Sequence, residues 1–425
     1  MIVPPIPRAL KYIAAETPEG VSKPLIINQD LILAMDTKRL AVLSGGYIGP
    51  LSGNAVLAMI PVLKMEFGAS AEEILVSITF FMLPFAFFNL FSGTVSDVYG
   101  RRKMLNIGFL VYALGCVFCV LSSDLMSFYL SRSVQGVGYA FVNPVLLAVL
   151  GDMTPPQERG KVMGYFGAFT TAGIATGPMI AGFLTPYDWR WMFVLVAVLA
   201  VAVSFWIRTA CPVTRPNPDA LRHLKGNVRT AVSNRAVITL CTLGFLAFLC
   251  YMGALGFLSD HLSIPPLSMD EEAVGILVGM SGVAGMFAAP LGGRLVDAKG
   301  RTFTATIGFL VVGAAFLALY FSSNWVHFAG SLLVFGTGTA FIWASLLTIT
   351  VEVIPRLKGT VSSVFNSTRF FGYSLAPLVF APIYLQGGFG LLLLVGMVMT
   401  MVALPVILLL KAQLDASHSD RTSIS

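Results

Sequence analysis

Two stretches of this chain carry the same charged pattern. In GTVSDVYGRR (93–102) and GRLVDAKGRT (293–302), Gly93, Asp97, Gly100 and Arg101 each fall 200 residues before Gly293, Asp297, Gly300 and Arg301, and Arg102 follows the first set. A carboxylate and a guanidinium brought together form charge-assisted hydrogen bonds that can be made and broken reversibly. Arg101 is expected to pair with Asp152, and Arg301 with Glu352. Asp97 is expected at the helix start near Gly359, and Asp297 at the one near Gly160, because a helix dipole and its free N–H groups favour an anion there. Such contacts would latch two halves of the molecule on one side and part when that side opens. The competing reading is a solvated turn. Two more arginines, Arg132 and Arg369, stand inside long apolar runs. A charge so placed is costly and faces a cavity or a partner.

Those runs are the elements that must position the charges. Of 425 residues, 56% are hydrophobic and only 11% are charged, against about 25% charged in soluble domains. A cytosolic enzyme and a secreted protein are disfavoured. Reading for about 20 apolar residues bounded by charge, Gly or Pro gives twelve spans, at 40–63, 74–96, 103–122, 125–150, 161–184, 189–208, 236–258, 273–296, 302–322, 325–350, 359–384 and 388–410. Runs such as 391–410 are apolar all round, which is the pattern of helices and not of barrel strands. The expected layout is an N-terminal segment 1–39, a six-helix half 40–208, a linker 209–235, a second half 236–410 and a tail 411–425.

Of 27 basic residues, 23 fall in the two termini, the linker and the loops on their side, and only Lys64 and Arg190 fall in loops on the other side. This bias places both termini, the linker and the tail in the cytoplasm. It also explains the net charge of +6 without nucleic acid, because the charge is spread over seven segments. The first long apolar run starts near Leu40, so no signal peptide is expected. Cys116 and Cys119 form a CxxC spacing with no second pair, and read as small apolar fillers. QGVGYAF (135–141) and FGTGTAF (335–341) repeat at the same offset of 200, so the halves are repeats, with a substrate site between them.

Several features resemble the major facilitator superfamily, whose signature in the turn after span 2 is Gly, then Asp, then Gly-Arg-Arg-Lys, as in GTVSDVYGRRK (93–103). RSVQGVG (132–138) is similar to the span-4 motif of that superfamily's drug:proton antiporters. AGIATGPMIAGF (172–183), with Gly173, Gly177, Pro178 and Gly182, is similar to their span-5 antiporter motif. The resemblance runs from about residue 40 to 410. It implies an all-α membrane protein with twelve transmembrane helices in two pseudo-symmetric six-helix bundles, lying in the cell membrane.

By the same resemblance spans 1, 4, 7 and 10 line a central cavity. Tyr47 and Asn54 share a face of span 1, Arg132, Gln135, Tyr139 and Asn143 a stripe on span 4, and Tyr251 and Trp343 come from spans 7 and 10. Arg369 lies near the midplane of span 11. Arg132 has Leu332 as its counterpart, so the fold does not need its charge; a substrate anion and a role in proton movement are both open, as is snorkelling to the interface. Gly173, Gly177 and Ala181, on one face of span 5, are expected to form a smooth seam with Gly275, Gly279, Gly282 and Gly285 of span 8. The phenylalanines of span 2, Phe81 and Phe85 among them, read as lipid-facing, and Trp189 and Trp191 as interfacial anchors.

No phosphate-binding loop, HExxH or other catalytic set is present, and no cofactor or metal is expected. No carboxylate sits near the middle of any span; Asp260, beside His261, lies at the outer end of span 7. Three readings result: an exporter of small amphipathic compounds with protons as the coupling ion, an organic-anion transporter, and a non-transporting membrane sensor. The partners expected are the bilayer, a small-molecule substrate and protons. One chain holds both halves, so a monomer suffices.

Overall fold

The computed structural model describes residues 37–155, 158–211, 217 and 224–422. The N-terminal segment 1–36, residues 156–157 and much of the linker lie outside the described residues, and the site expected for Asp297 near Gly160 falls beside them, where the side chains of 159–161 are not described. Among the described residues there is no strand. The helices of the first half are Thr37–Phe67, Ala71–Tyr99, Arg101–Leu121, Leu125–Asp152, Arg159–Leu184 and Arg190–Ala210, spans 1 to 6. A short helix, Leu224–Ser233, precedes the second half. There spans 7 to 10 are Arg235–Ser263, Glu271–Lys299, Arg301–Tyr320 and Trp325–Glu352. The helical segment Lys358–Thr422 is interrupted at Gly388, whose φ of +65° divides it into span 11 (358–387) and span 12 (389–422). Each span is longer than the roughly 20 residues needed to cross hydrocarbon or matches that length, which makes this a twelve-span membrane protein.

The repeat is visible in how the helices begin, turn and pack. Ser70 and Asp270, 200 residues apart, cap spans 2 and 8 by accepting from the amides of Glu73 at 3.4 Å and Ala273 at 2.9 Å. Asp124 and Asn324 do the same for spans 4 and 10, at 2.9 and 3.0 Å. Side-chain oxygens at these positions satisfy helix N–H groups that otherwise lack partners. Gly100 and Gly300 turn the chain between spans 2 and 3 and between spans 8 and 9 with φ of +92° and +89°. A β-carbon disfavours that region, which is why both copies of the motif keep glycine. A β-carbon on Gly108 would lie 3.0 Å from the carbonyl oxygen of Gly138, and one on Gly308 3.0 Å from that of Gly338. Glycine thus brings spans 3 and 4, and spans 9 and 10, equally close.

Span 4 bends between Ala140 and Asn143, where Pro144 lacks the N–H that would continue the helix ladder. The bend separates Asn143 from the rest of the expected span-4 stripe.

The most extensive joints between the halves are span 2 with span 11 and span 5 with span 8. Lipid gives helices no hydrophobic reason to associate, so small residues and close packing carry these joints. The span 5–8 seam differs from the sequence expectation. Gly173 and Gly177 face inward, against the backbone of Tyr47 and Leu51 in span 1. Across the seam Gly275 meets Pro178, Gly279 and Gly282 meet Ala175, and Gly182 meets Glu271. Residues one step around the helix from the Gly173–Gly177 line thus form the joint. Two other expectations are corrected. Phe81 and Phe85 are buried, because span 2 is enclosed by spans 4 and 11. Trp189 is buried among Phe67, Phe128 and Phe193, while Trp191 is exposed.

Candidate functional site

The Gly100 and Gly300 turns mark one face of the bundle, called here the motif face. At the opposite face the halves are held together by charge. Lys64, near the end of span 1, places Nζ 2.6 Å from Oδ1 of Asp260 in span 7. The hydroxyl of Tyr384 in span 11 donates to Oδ2 of the same carboxylate at 2.8 Å. Asp260 is only 5% exposed. Removing one partner of a buried pair costs about 3–5 kcal/mol, because the other charge is left without compensation; Lys64, half-open to solvent, would lose less. The neighbouring His261 ring stacks on Phe389 at 4.7 Å between centroids.

Moving inward, the halves stay in contact. Tyr373 of span 11 donates to Asn54 Oδ1 of span 1 at 2.9 Å, and Thr79 of span 2 donates to the carbonyl of Ser374 at 2.6 Å. Tyr47 bonds Thr176 of span 5 at 2.7 Å, within the first half. Phe85 of span 2 packs edge-on against Phe370 of span 11, with centroids 4.6 Å apart, and stacks on Tyr139 at 5.2 Å. Around this contact the second half supplies a continuous aromatic cluster. Phe248 lies 5.8 Å from Trp343, 6.2 Å from Tyr373 and 6.3 Å from Tyr251.

Toward the motif face the charged contacts stay within each half. Gly93, Gly164, Gly167, Gly293 and Gly359 all have open space where a side chain would begin. Asp97 does not reach the start of span 11; it bonds Arg101 Nε within its own half at 2.9 Å. Arg101 also holds Asp152 and donates to the carbonyl of Ala148 at 2.9 Å, tying the turn to span 4. In the second half Arg301 is paired with Glu352. Asp297 has no counterpart of the Asp97–Arg101 bond among the described residues. It lines a cleft of about 310 Å³ with Arg301, Glu352 and Lys411. Arg102 lines another cleft on the same face, beside Tyr99, Lys103 and Asn106.

The two embedded arginines occupy different settings. Arg132 is fully buried inside the first half. Its Nη1 donates to Gln135 Oε1 at 2.6 Å and to Ser52 Oγ at 3.4 Å, and its guanidinium lies 4.4 Å from the centre of the Phe81 ring. Nε and Nη2 find no acceptor. Gln135 in turn donates to Cys116 Sγ at 2.8 Å. Arg132 therefore reaches neither the interface nor a carboxylate, and Tyr139, one turn beyond Gln135, points to Phe85 instead. Arg369 lies between the halves, over Trp343 at 3.7 Å, Phe370 at 4.3 Å and Phe248 at 4.9 Å.

Lys64, Tyr384, Phe248 and Phe370 are the residues that sequence reasoning missed. The run Arg369-Phe370-Phe371-Gly372-Tyr373 was a signal for the aromatic cluster. Nothing local signals Lys64, whose partner lies 196 residues away.

Comparison with known proteins agrees with this architecture. A model of the Major Facilitator Superfamily matches residues 42–377. The uncharacterized MFS-type transporter YceJ of Bacillus subtilis is 25% identical over 340 residues, covering 77% of this chain and 84% of that protein. The class B tetracycline resistance protein of Escherichia coli is 28% identical over 347 residues, again 77% and 84%. The crystal structure of a bacterial homologue of the human lysosomal transporter Spinster, inward-facing and unoccupied, superposes with a TM-score of 0.71 at 16% identity, covering 88% of this chain and 96% of that one.

Proposed function

The chain belongs to the Major Facilitator Superfamily, and from that premise we propose an exporter of small amphipathic compounds that works by alternating access and is driven by proton antiport. The superfamily makes it a multi-pass membrane transporter of small molecules; the direction, the coupling ion and the moving parts are the proposal. One observation carries it. The halves are tied at one face by Lys64 and Asp260, 2.6 Å apart, whereas the ion pairs of the other face, Asp97–Arg101–Asp152 and Arg301–Glu352, each stay within one half. The positive-inside bias makes the motif face cytoplasmic, so this is the inward-open state.

The cycle follows from the contacts. Opening outward requires Asp260 to give up both Lys64 and Tyr384. Loss of the Lys64–Asp260 pair is the event that frees this face. On the cytoplasmic side the Asp97–Arg101–Asp152 and Arg301–Glu352 sets keep each half rigid, while the smooth Gly275–Gly279–Gly282 seam lets the halves rock. Aromatic side chains at the centre offer an apolar body the contact it needs. The likeness to a tetracycline resistance protein supports export of a drug-like compound. Each chain carries both halves, so a monomer performs the cycle.

The test uses proteoliposomes holding the full chain and tetracycline as probe, with internal pH recorded. A pH gradient should drive tetracycline flux, with protons moving in the opposite direction. Tetracycline flux that neither responds to the gradient nor dissipates it would remove proton coupling.

A further inference from the structure

Arg369 brings a positive charge to the middle of span 11 with no counter-charge. It stands eleven residues past Lys358, about 16 Å along the helix at 1.5 Å per residue, which is about half of a 30 Å hydrocarbon layer. The residue is 8% exposed. A guanidinium has five N–H donors, yet among the described residues no hydrogen bond or ion pair reaches Arg369, and its buried Nε has no acceptor. The three rings around it attract a cation through their quadrupoles but accept no conventional hydrogen bond. They hold the charge in place without spending its donors. The polar groups nearby are already engaged, since the Tyr373 hydroxyl donates to Asn54. Asp260, which lies in the second half with Arg369, is taken by Lys64 and Tyr384 at the opposite face.

The surroundings also define the rest of the ligand. Trp343, Phe248 and Phe370 present flat apolar surfaces beside the guanidinium, and Phe370 touches Phe85 of the other half. A group that bonds Arg369 and lies along these rings would touch the span 2–11 joint, where the halves meet. Arg132 offers no such place, being sealed within the first half.

We propose that Arg369 recognises the anionic group of the substrate, and that the compounds carried bear a carboxylate or sulfonate on a flat aromatic body. This rests on the transporter reading and narrows its substrate class. The planar fork of arginine matches a carboxylate or sulfonate in two bonds, and the rings pack the body. A cation of the same shape would meet an uncompensated like charge.

Naphthoate and trimethyl(naphthyl)ammonium, which share a ring system and differ in charge, test this in proteoliposomes of the full chain. Naphthoate should show saturable uptake, competed by naphthalene sulfonate and not by the ammonium compound. Arg369→Met should weaken naphthoate uptake about tenfold or more. Its melting temperature in detergent should not fall, because an unpaired buried charge has been removed. Arg369→Lys keeps the charge but loses the fork, and should fall between the two. Naphthoate uptake within about twofold of wild type in both variants overturns the assignment. So does inhibition of the wild type by chloride alone at concentrations that match naphthoate. Flux of tetracycline but of neither naphthyl probe overturns the anion assignment and leaves the transporter standing. Absence of flux with every probe overturns the transporter reading itself.

Discussion

Lys64 and Asp260, 196 residues apart in the chain, form a 2.6 Å ion pair that joins the two halves at the face opposite the Gly100 and Gly300 turns. Tyr384 completes it from span 11 at 2.8 Å. The contact is polar and built from single residues on three spans, so one substitution suffices to weaken it.

Asp260→Asn keeps the shape and removes the charge. The closure should weaken by about 1–3 kcal/mol, the usual cost of a lost hydrogen-bond partner, because the Lys64 charge left behind is partly exposed to solvent. Labelling of introduced cysteines near Met65 from the outer side should rise, and gradient-driven flux should fall about tenfold or more. Adding Lys64→Gln restores a neutral hydrogen bond and should restore closure.

The charged turn gives a second prediction. Asp97→Ala and Arg101→Ala should each insert normally, as protease accessibility of loops would record, and each should stop transport. Arg101→Ala removes the bond to Asp97 together with the ties to Asp152 and the carbonyl of Ala148. Undiminished flux in Asp97→Ala would reduce the turn to a topology signal.

Arg132 separates stability from function. Two of its three nitrogens have no acceptor in a sealed site, so Arg132→Met should leave thermal stability unchanged or raise it by about 1–4 kcal/mol. Arg132→Ala should still abolish transport. Wild-type flux in Arg132→Ala would show that the buried charge has no part in the cycle.

The seam predicts a steric block. A β-carbon on Gly279 would lie 2.6 Å from the carbonyl oxygen of Ala175, so Gly279→Leu must push spans 5 and 8 apart. Flux should fall sharply while the first half keeps its fold. Gly164→Ala, in open space at the motif end of span 5, should be tolerated in the open state.

Twelve spans and their two-fold repeat were legible because apolar length and a nearly constant offset, 200 residues at Gly100 and Gly300 and 199 at Pro178 and Pro377, survive in sequence. Gly100 and Gly300 were legible for a physical reason, since positive φ leaves little choice but glycine. Arg132 and Arg369 stood out as charges in apolar runs, but which would face the interface did not. The two-residue break near Phe141 rotates span 4, and a stripe read at constant helical spacing assumes no break. Gly173 and Gly177 were recognisable as a close-packing line, whereas the neighbour they pack against was set by helix rotation. Phe81 and Phe85 look like lipid-facing residues because lipid and a buried helix joint favour the same side chains. The Lys64–Asp260 pair had no signal at all, because ends of distant spans meet only in the folded bundle.

The most direct measurement is a pair of spin-label distances on one cysteine-free background, the five native cysteines being buried and free. One pair, Tyr99 and Lys358, reports the motif face; the other, Met65 and Ile264, reports the opposite face. Alternating access predicts that adding substrate shortens the first distance while lengthening the second, and that Asp260→Asn shifts both the same way without substrate. Distances that stay fixed, or that lengthen together, would contradict rocking of the two halves about a closed Lys64–Asp260 contact.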